Sequence, residues 1–226
     1  MICWGHRGCK GAAIENTMAA FYAAFEAGAQ GIELDIQLSS DGIPVVLHDE
    51  SPARTHGLAG LVDNVAAQTL NQLGIPSLEA VLLVFGPKGY INIEIKNPQA
   101  TAAVVQLIQK YYSVQAQKEA HVLVSSFHEE VLQTAFEIDP NIALGILTAT
   151  SVKRALALAN EIHAYAIHPA ALLCSTQVVD QIHAAGYKVF PWTVNEAAHF
   201  ITLSQMHVDG IITDEPKLCL ETLHHG

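Results

Sequence analysis

The chain has 226 residues, of which 50% are hydrophobic and 15% charged, with a formal net charge of −11. This length suits one large α/β core, and the apolar content excludes a disordered protein. The acidic balance disfavours nucleic acid as a partner, yet leaves a phosphate ester open, because a bound cation and a few basic side chains reverse the sign locally.

The apolar runs are too short and too interrupted to cross a bilayer. The four cysteines, Cys3, Cys9, Cys174 and Cys219, lack metal-ligand or redox spacing and predict reduced, mostly buried thiols. Nothing at the start reads as a signal peptide, so a cytoplasmic location is expected.

In chain order, Ile2–Gly5 reads as a short strand. The Ala-rich segment from Asn16 to Ala27 reads as a helix that Gly28 ends. Gly31–Leu38 alternates strictly, as a strand does, and Pro44–Leu47 is a second extended piece after the Asp41-Gly42 turn. Ser51–Gly74 is irregular, with one weak helical piece. Ser77 then reads as the N-cap of a helix. From there strands and helices alternate to the end. The strands are predicted at Tyr90–Ile95, Val122–Ser125, Ile142–Leu147, Ala164–Ile167, Tyr187–Pro191 and Gly210–Thr213. The helices are predicted at Gln99–Tyr112, Glu129–Ile138, Ser151–Ile162, Thr176–Ala185, Glu196–Met206 and Lys217–Leu223. With the extra extended piece set aside, this is eight strand–helix units, which predicts one (β/α)₈ TIM barrel over residues 1–226 with a short insertion after the second strand. A doubly wound sheet is the competing architecture, but His6-Arg7-Gly8-Cys9-Lys10-Gly11 is not a dinucleotide fingerprint.

Two strands carry charge where a parallel sheet is normally apolar. In Ile32-Glu33-Leu34-Asp35-Ile36-Gln37-Leu38 the apolar set faces the helices, so Glu33, Asp35 and Gln37 face the barrel interior. In Ile91-Asn92-Ile93-Glu94-Ile95-Lys96 the interior set is Asn92, Glu94 and Lys96. If these strands are neighbours, Glu33, Asp35 and Glu94 form a hard oxygen site suited to Mg²⁺ or Ca²⁺. The alternative is a buried salt-bridge network in which Lys96 and Arg7 neutralise the acids. His6 with Arg7, and His48 with Asp49, stand where strands meet loops on the catalytic side of a barrel, and a histidine pair can act as acid and base. The remaining histidines read as surface or loop residues, with His168 structural and His224 and His225 at a frayed end.

These residues resemble the glycerophosphodiester phosphodiesterases. The matching pieces are His6-Arg7-Gly8, Glu15-Asn16-Thr17, Gly31-Ile32-Glu33-Leu34-Asp35, Asp41-Gly42 with Pro44-Val45-Val46, His48-Asp49, Arg54-Thr55, Ile75-Pro76-Ser77-Leu78-Glu79 and Ile93-Glu94-Ile95-Lys96. Further along come Ser126-Phe127, Trp192-Thr193-Val194-Asn195, Asp209-Gly210-Ile211-Ile212-Thr213-Asp214 and Pro216. The resemblance implies a barrel of the compact bacterial, cytosolic kind that hydrolyses glycerophosphodiesters to glycerol 3-phosphate and an alcohol. It implies a divalent cation on Glu33, Asp35 and Glu94, an acid–base pair at His6 and His48, phosphate contacts from Arg7 and Lys96, and a substrate pocket lined by Trp192. The partner is then a small-molecule diester, without stable membrane association, and the chain acts as a monomer or homodimer. Two departures stand out: Ile14 replaces the family's usual Pro, and Phe190-Pro191 precedes Trp192, which bears on how that ring sits. A lipid-directed phospholipase-type barrel and a silent barrel that binds a phosphorylated metabolite are the rival readings.

Overall fold

The computed structural model describes residues 1–225 apart from Gln115, Gln117 and Lys118. It begins with β1 (Ile2–His6), α1 (Met18–Glu26), β2 (Gly31–Leu38) and β3 (Pro44–Val46), followed by the short helices α2 (Ala53–His56) and α3 (Ala67–Gln72). Next come α4 (Leu78–Phe85), β4 (Tyr90–Ile95), α5 (Thr101–Tyr111), β5 (Val122–Ser126), α6 (Glu129–Ile138), β6 (Ala143–Thr148) and α7 (Val152–Glu161). The chain ends with β7 (Ala166–Pro169), α8 (Thr176–Ala184), β8 (Lys188–Val189), α9 (Ala197–Gln205), β9 (Gly210–Thr213) and α10 (Pro216–His225).

The strands run in the order β8-β7-β6-β5-β4-β2-β1-β9, with all these pairings parallel. The two ends of the sheet meet. Asp209 N–H donates to Val189 O at 3.1 Å, Ile212 N–H to Pro191 O at 2.9 Å and Val194 N–H to Ile212 O at 3.0 Å. The result is the expected eight-stranded barrel. β3 lies off the ring, antiparallel to β2, with Gln37 opposite Val45. It carries the insertion, whose small core is Val45, Leu47, Val62, Leu70 and Ile75.

Alternation along each strand separates two cores. Ile32, Leu34, Ile36, Ile91, Ile93 and Ile95 pack outward with helix residues such as Phe21, Val81 and Val104. Inside, Trp4, Leu123, Ala166, Phe190 and Ile212 plug the N-terminal end of the barrel. Gly31 makes room for that plug, because a Cβ there would stand 2.7 Å from Trp4 Cε3 and 2.9 Å from Tyr90 O. The apolar plug leaves the C-terminal half of the interior to the polar residues.

Several boundaries differ from the sequence reading. Asn16 is not in α1; it takes a left-handed backbone, φ 59°, and Thr17 caps the helix by accepting from Ala20 N–H. The insertion holds two short helices and a 3₁₀ turn (Val62–Asn64) instead of one helical piece. His168 lies within β7 rather than after it. β8 is shorter than predicted because Pro191 cannot donate to a ladder. The last helix runs through His225, beyond the predicted end at Leu223. Of the thiols, Cys3 and Cys219 are buried while Cys9 and Cys174 are only partly so. Among the described residues, no helix is long and apolar enough to cross a membrane.

Candidate active site

The register brings the predicted acids together. β2 lies between β1 and β4, so His6 stands beside Glu33, Glu33 beside Asn92, and Asp35 beside Glu94. One oxygen from each of Glu33, Asp35 and Glu94 falls within 4.8 Å of the others, and all three residues are buried. Arg7 and Lys96 border this cluster. Arg7 Nε is 3.1 Å from Asp35 Oδ2, and Lys96 Nζ pairs with Glu94 Oε1 and lies 3.3 Å from Asp35 Oδ1. Burial opposes the charge of each cation, but the adjacent carboxylates outweigh it and raise both pKa values.

Two cations against three carboxylates leave the cluster short of positive charge. Burial first, then the neighbouring acids, push Glu33 well above the usual carboxylate range, and push Glu94 up to about 7 despite Lys96. Glu33 Oε1 also has no hydrogen-bond donor, and Asp35 Oδ1 has only the Lys96 ion pair. A self-contained salt-bridge network would not leave the acids short of positive charge, whereas a divalent ion would supply it. The donor set therefore fits a hard cation.

Both predicted histidines stand at this end of the barrel, and each is oriented by a carboxylate. His6 Nδ1 is 2.7 Å from Asp214 Oδ1, and His48 Nδ1 is 2.6 Å from Asp49 Oδ1. These contacts engage Nδ1 of both rings, and His6 Nε2 turns toward the cluster, 3.9 Å from Glu33 Oε2. Asp214 also accepts from Asn195 Nδ2 at 2.8 Å and from Lys10 Nζ at 3.2 Å. Burial would raise its pKa, but the His6 contact and these donors hold it well below the usual range. His48 is tied to the cluster through Asp49, Arg54, Glu15 and Arg7. Arg54 reaches Asp49 and Glu15 at 2.7 Å each, and Arg7 reaches Glu15 at 2.9 Å.

Asn16, Asp214, Asn195, Glu15 and Arg54 support the site without having been assigned a role from sequence. Asn16 donates to Asp35 Oδ2 at 2.8 Å and accepts from Asp35 N–H at 3.3 Å. Arg7 also has a left-handed backbone, φ 54°, which aims its N–H at Glu33 Oε2, 3.0 Å away. Trp192 is fixed despite Pro191. Its indole donates to His168 O at 2.8 Å, and its ring meets Phe127 edge-on at 5.3 Å.

Beneath the carboxylates the interior stays polar. Asn92 Oδ1, Ser125 Oγ and both ring nitrogens of His168 are buried without a partner. Burial pushes His168 down to about 3, so its imidazole is neutral. Left dry, each such atom would cost about 1–3 kcal/mol.

The sequence pattern of the "Glycerophosphoryl diester phosphodiesterase family" matches residues 6–218. The chain belongs to that family. A glycerophosphodiester phosphodiesterase of Bacillus altitudinis is 35% identical, with 94% of each chain covered. One of Caldanaerobacter subterraneus is 32% identical, over 98% of this chain and 97% of that one. The glycerophosphodiester phosphodiesterase structure from Thermotoga maritima superposes with a TM-score of 0.85 at 30% identity, covering 98% of this chain and 97% of that one. A phosphodiesterase of Oleispira antarctica, determined with its product sn-glycerol-3-phosphate, has a TM-score of 0.89 at 26% identity, over 99% and 97% of the two chains. As a member of the glycerophosphoryl diester phosphodiesterase family, the chain is a phosphoric diester hydrolase acting on a small molecule.

Proposed function

We propose that this barrel, acting as one domain over residues 1–226, hydrolyses glycerophosphodiesters to glycerol 3-phosphate and an alcohol, with a divalent cation, Mg²⁺ or Ca²⁺, held by Glu33, Asp35 and Glu94. The observation that carries this is the under-compensated three-carboxylate cluster beside two carboxylate-oriented imidazoles. When bound, such a cation neutralises charge on a phosphate oxygen. The rest is chemistry of the chain itself. Arg7 offers a planar fork and Lys96 a point charge to the phosphate. Of His6 and His48, one takes the nucleophile's proton and the other protonates the departing alkoxide. Trp192 bounds the pocket beside Phe127. The sequence also predicts a cytoplasmic monomer or homodimer, which cell fractionation and light scattering test.

The decisive assay is release of glycerol 3-phosphate from a panel of soluble diesters, with chelator and with each metal restored. His6→Ala and His48→Ala should each lose roughly 10²- to 10⁴-fold in kcat while remaining folded. Turnover that survives chelation removes the cation, and a near-wild-type rate in either variant removes the acid–base pair.

A further inference from the structure

Asn92, Ser125, Glu33 and Glu94 line a cavity of about 20 Å³ together with His6, Leu147, Trp192 and Ile212, so it belongs to the active site described above. Asn92 Oδ1, Ser125 Oγ and Glu33 Oε1 are buried there without a protein partner. His168 borders the same wall. Its ring lies over Gly145, where a Cβ would stand 2.5 Å from Nε2, and Gly145 is the register partner of Ser125. Apolar cavities stay dry, but one of this size lined with hydrogen-bonding groups holds water.

We propose that a bound water occupies this cavity, and that Asn92 and Ser125 are positioning residues acting through that water on Glu33. The valences match. Ser125 Oγ can donate to the water, and the water's two hydrogens can satisfy Asn92 Oδ1 and Glu33 Oε1. The other Glu33 oxygen already accepts from Arg7 N–H at 3.0 Å, so the water completes the set of contacts that fixes this carboxylate. The orientation of a ligating carboxylate is set by its other hydrogen bonds, which makes the water part of the cation cradle. The inference rests on the cation-binding reading above.

The test combines oxygen-17 relaxation dispersion on the metal-free protein, which counts long-lived internal waters, with calorimetric titration of Mg²⁺ and, separately, Ca²⁺. Asn92→Leu and Ser125→Ala should lose internal-water signal and weaken cation binding by about 10- to 100-fold. Ser125→Thr, which keeps the hydroxyl, should restore both. An unchanged water count overturns the proposal. So does unchanged cation affinity with a raised melting temperature, the signature of removing dry, unpaired polar groups. If both variants fail to fold, a high-resolution crystal structure of the unaltered protein decides, and a dry chamber overturns the proposal. A wild-type protein that binds neither cation defeats the cradle reading instead, and the water count then judges the chamber alone.

Discussion

Asp214 touches His6 and no reacting group is assigned to it, so its contribution is to hold the imidazole in one tautomer and one orientation. Asp214→Asn should therefore lower kcat by roughly a hundredfold or more with KM little changed. Combined with His6→Ala it should add almost nothing, which steady-state kinetics on the single and double variants would check. Glu15 behaves differently. Burial works against its charge, but Arg54 and Arg7 outweigh it and hold the carboxyl at about 2. A folded-state pKa below the unfolded value, about 4.3 for a glutamate, contributes stability that is complete above that value and disappears as pH falls through 2. Glu15→Gln should melt lower than wild type at pH 6, and the gap should narrow as pH falls below about 4 and close only below pH 2.

At the scale of elements, the barrel interior is divided by one close approach, Trp4 over Gly31. Gly31→Ala should cost about 1–3 kcal/mol, measured as a lower urea midpoint with an unchanged slope, because the new Cβ meets ring carbons and backbone at once. Pattern along a strand also explains what could be read from sequence. Glu33, Asp35, Glu94 and Lys96 were legible because a period of two on a doubly buried strand leaves charge nowhere to point but inward. Strand count and return helices gave the barrel in the same way. Asn16 was not legible, since an Asn before an Ala-rich run reads as the start of a helix, and nothing local announces a left-handed turn. The loose limits of β8 have a similar cause, because Phe190-Pro191 looks extended whether or not it pairs.

The whole molecule carries a net charge of −11, yet Arg7, Lys10, Arg54 and Lys96 gather at one end of the barrel, where an anionic diester would enter. A ligand bound only by the folded state stabilises it by mass action, about 2.7 kcal/mol at a concentration 100 times its dissociation constant. Saturating Mg²⁺ or Ca²⁺ should raise the melting temperature of chelated protein by roughly 5–10 °C, and Glu33→Gln should abolish most of that gain. Long-range architecture also set the other limit on reading. His6 and Asp214 are 208 positions apart, and only the meeting of β1 with β9 makes them neighbours. The same distance orders events at the ribosome. The imidazole leaves the ribosome 208 positions ahead of the carboxylate that aligns it, so hydrolytic competence waits until Asp214 has been made.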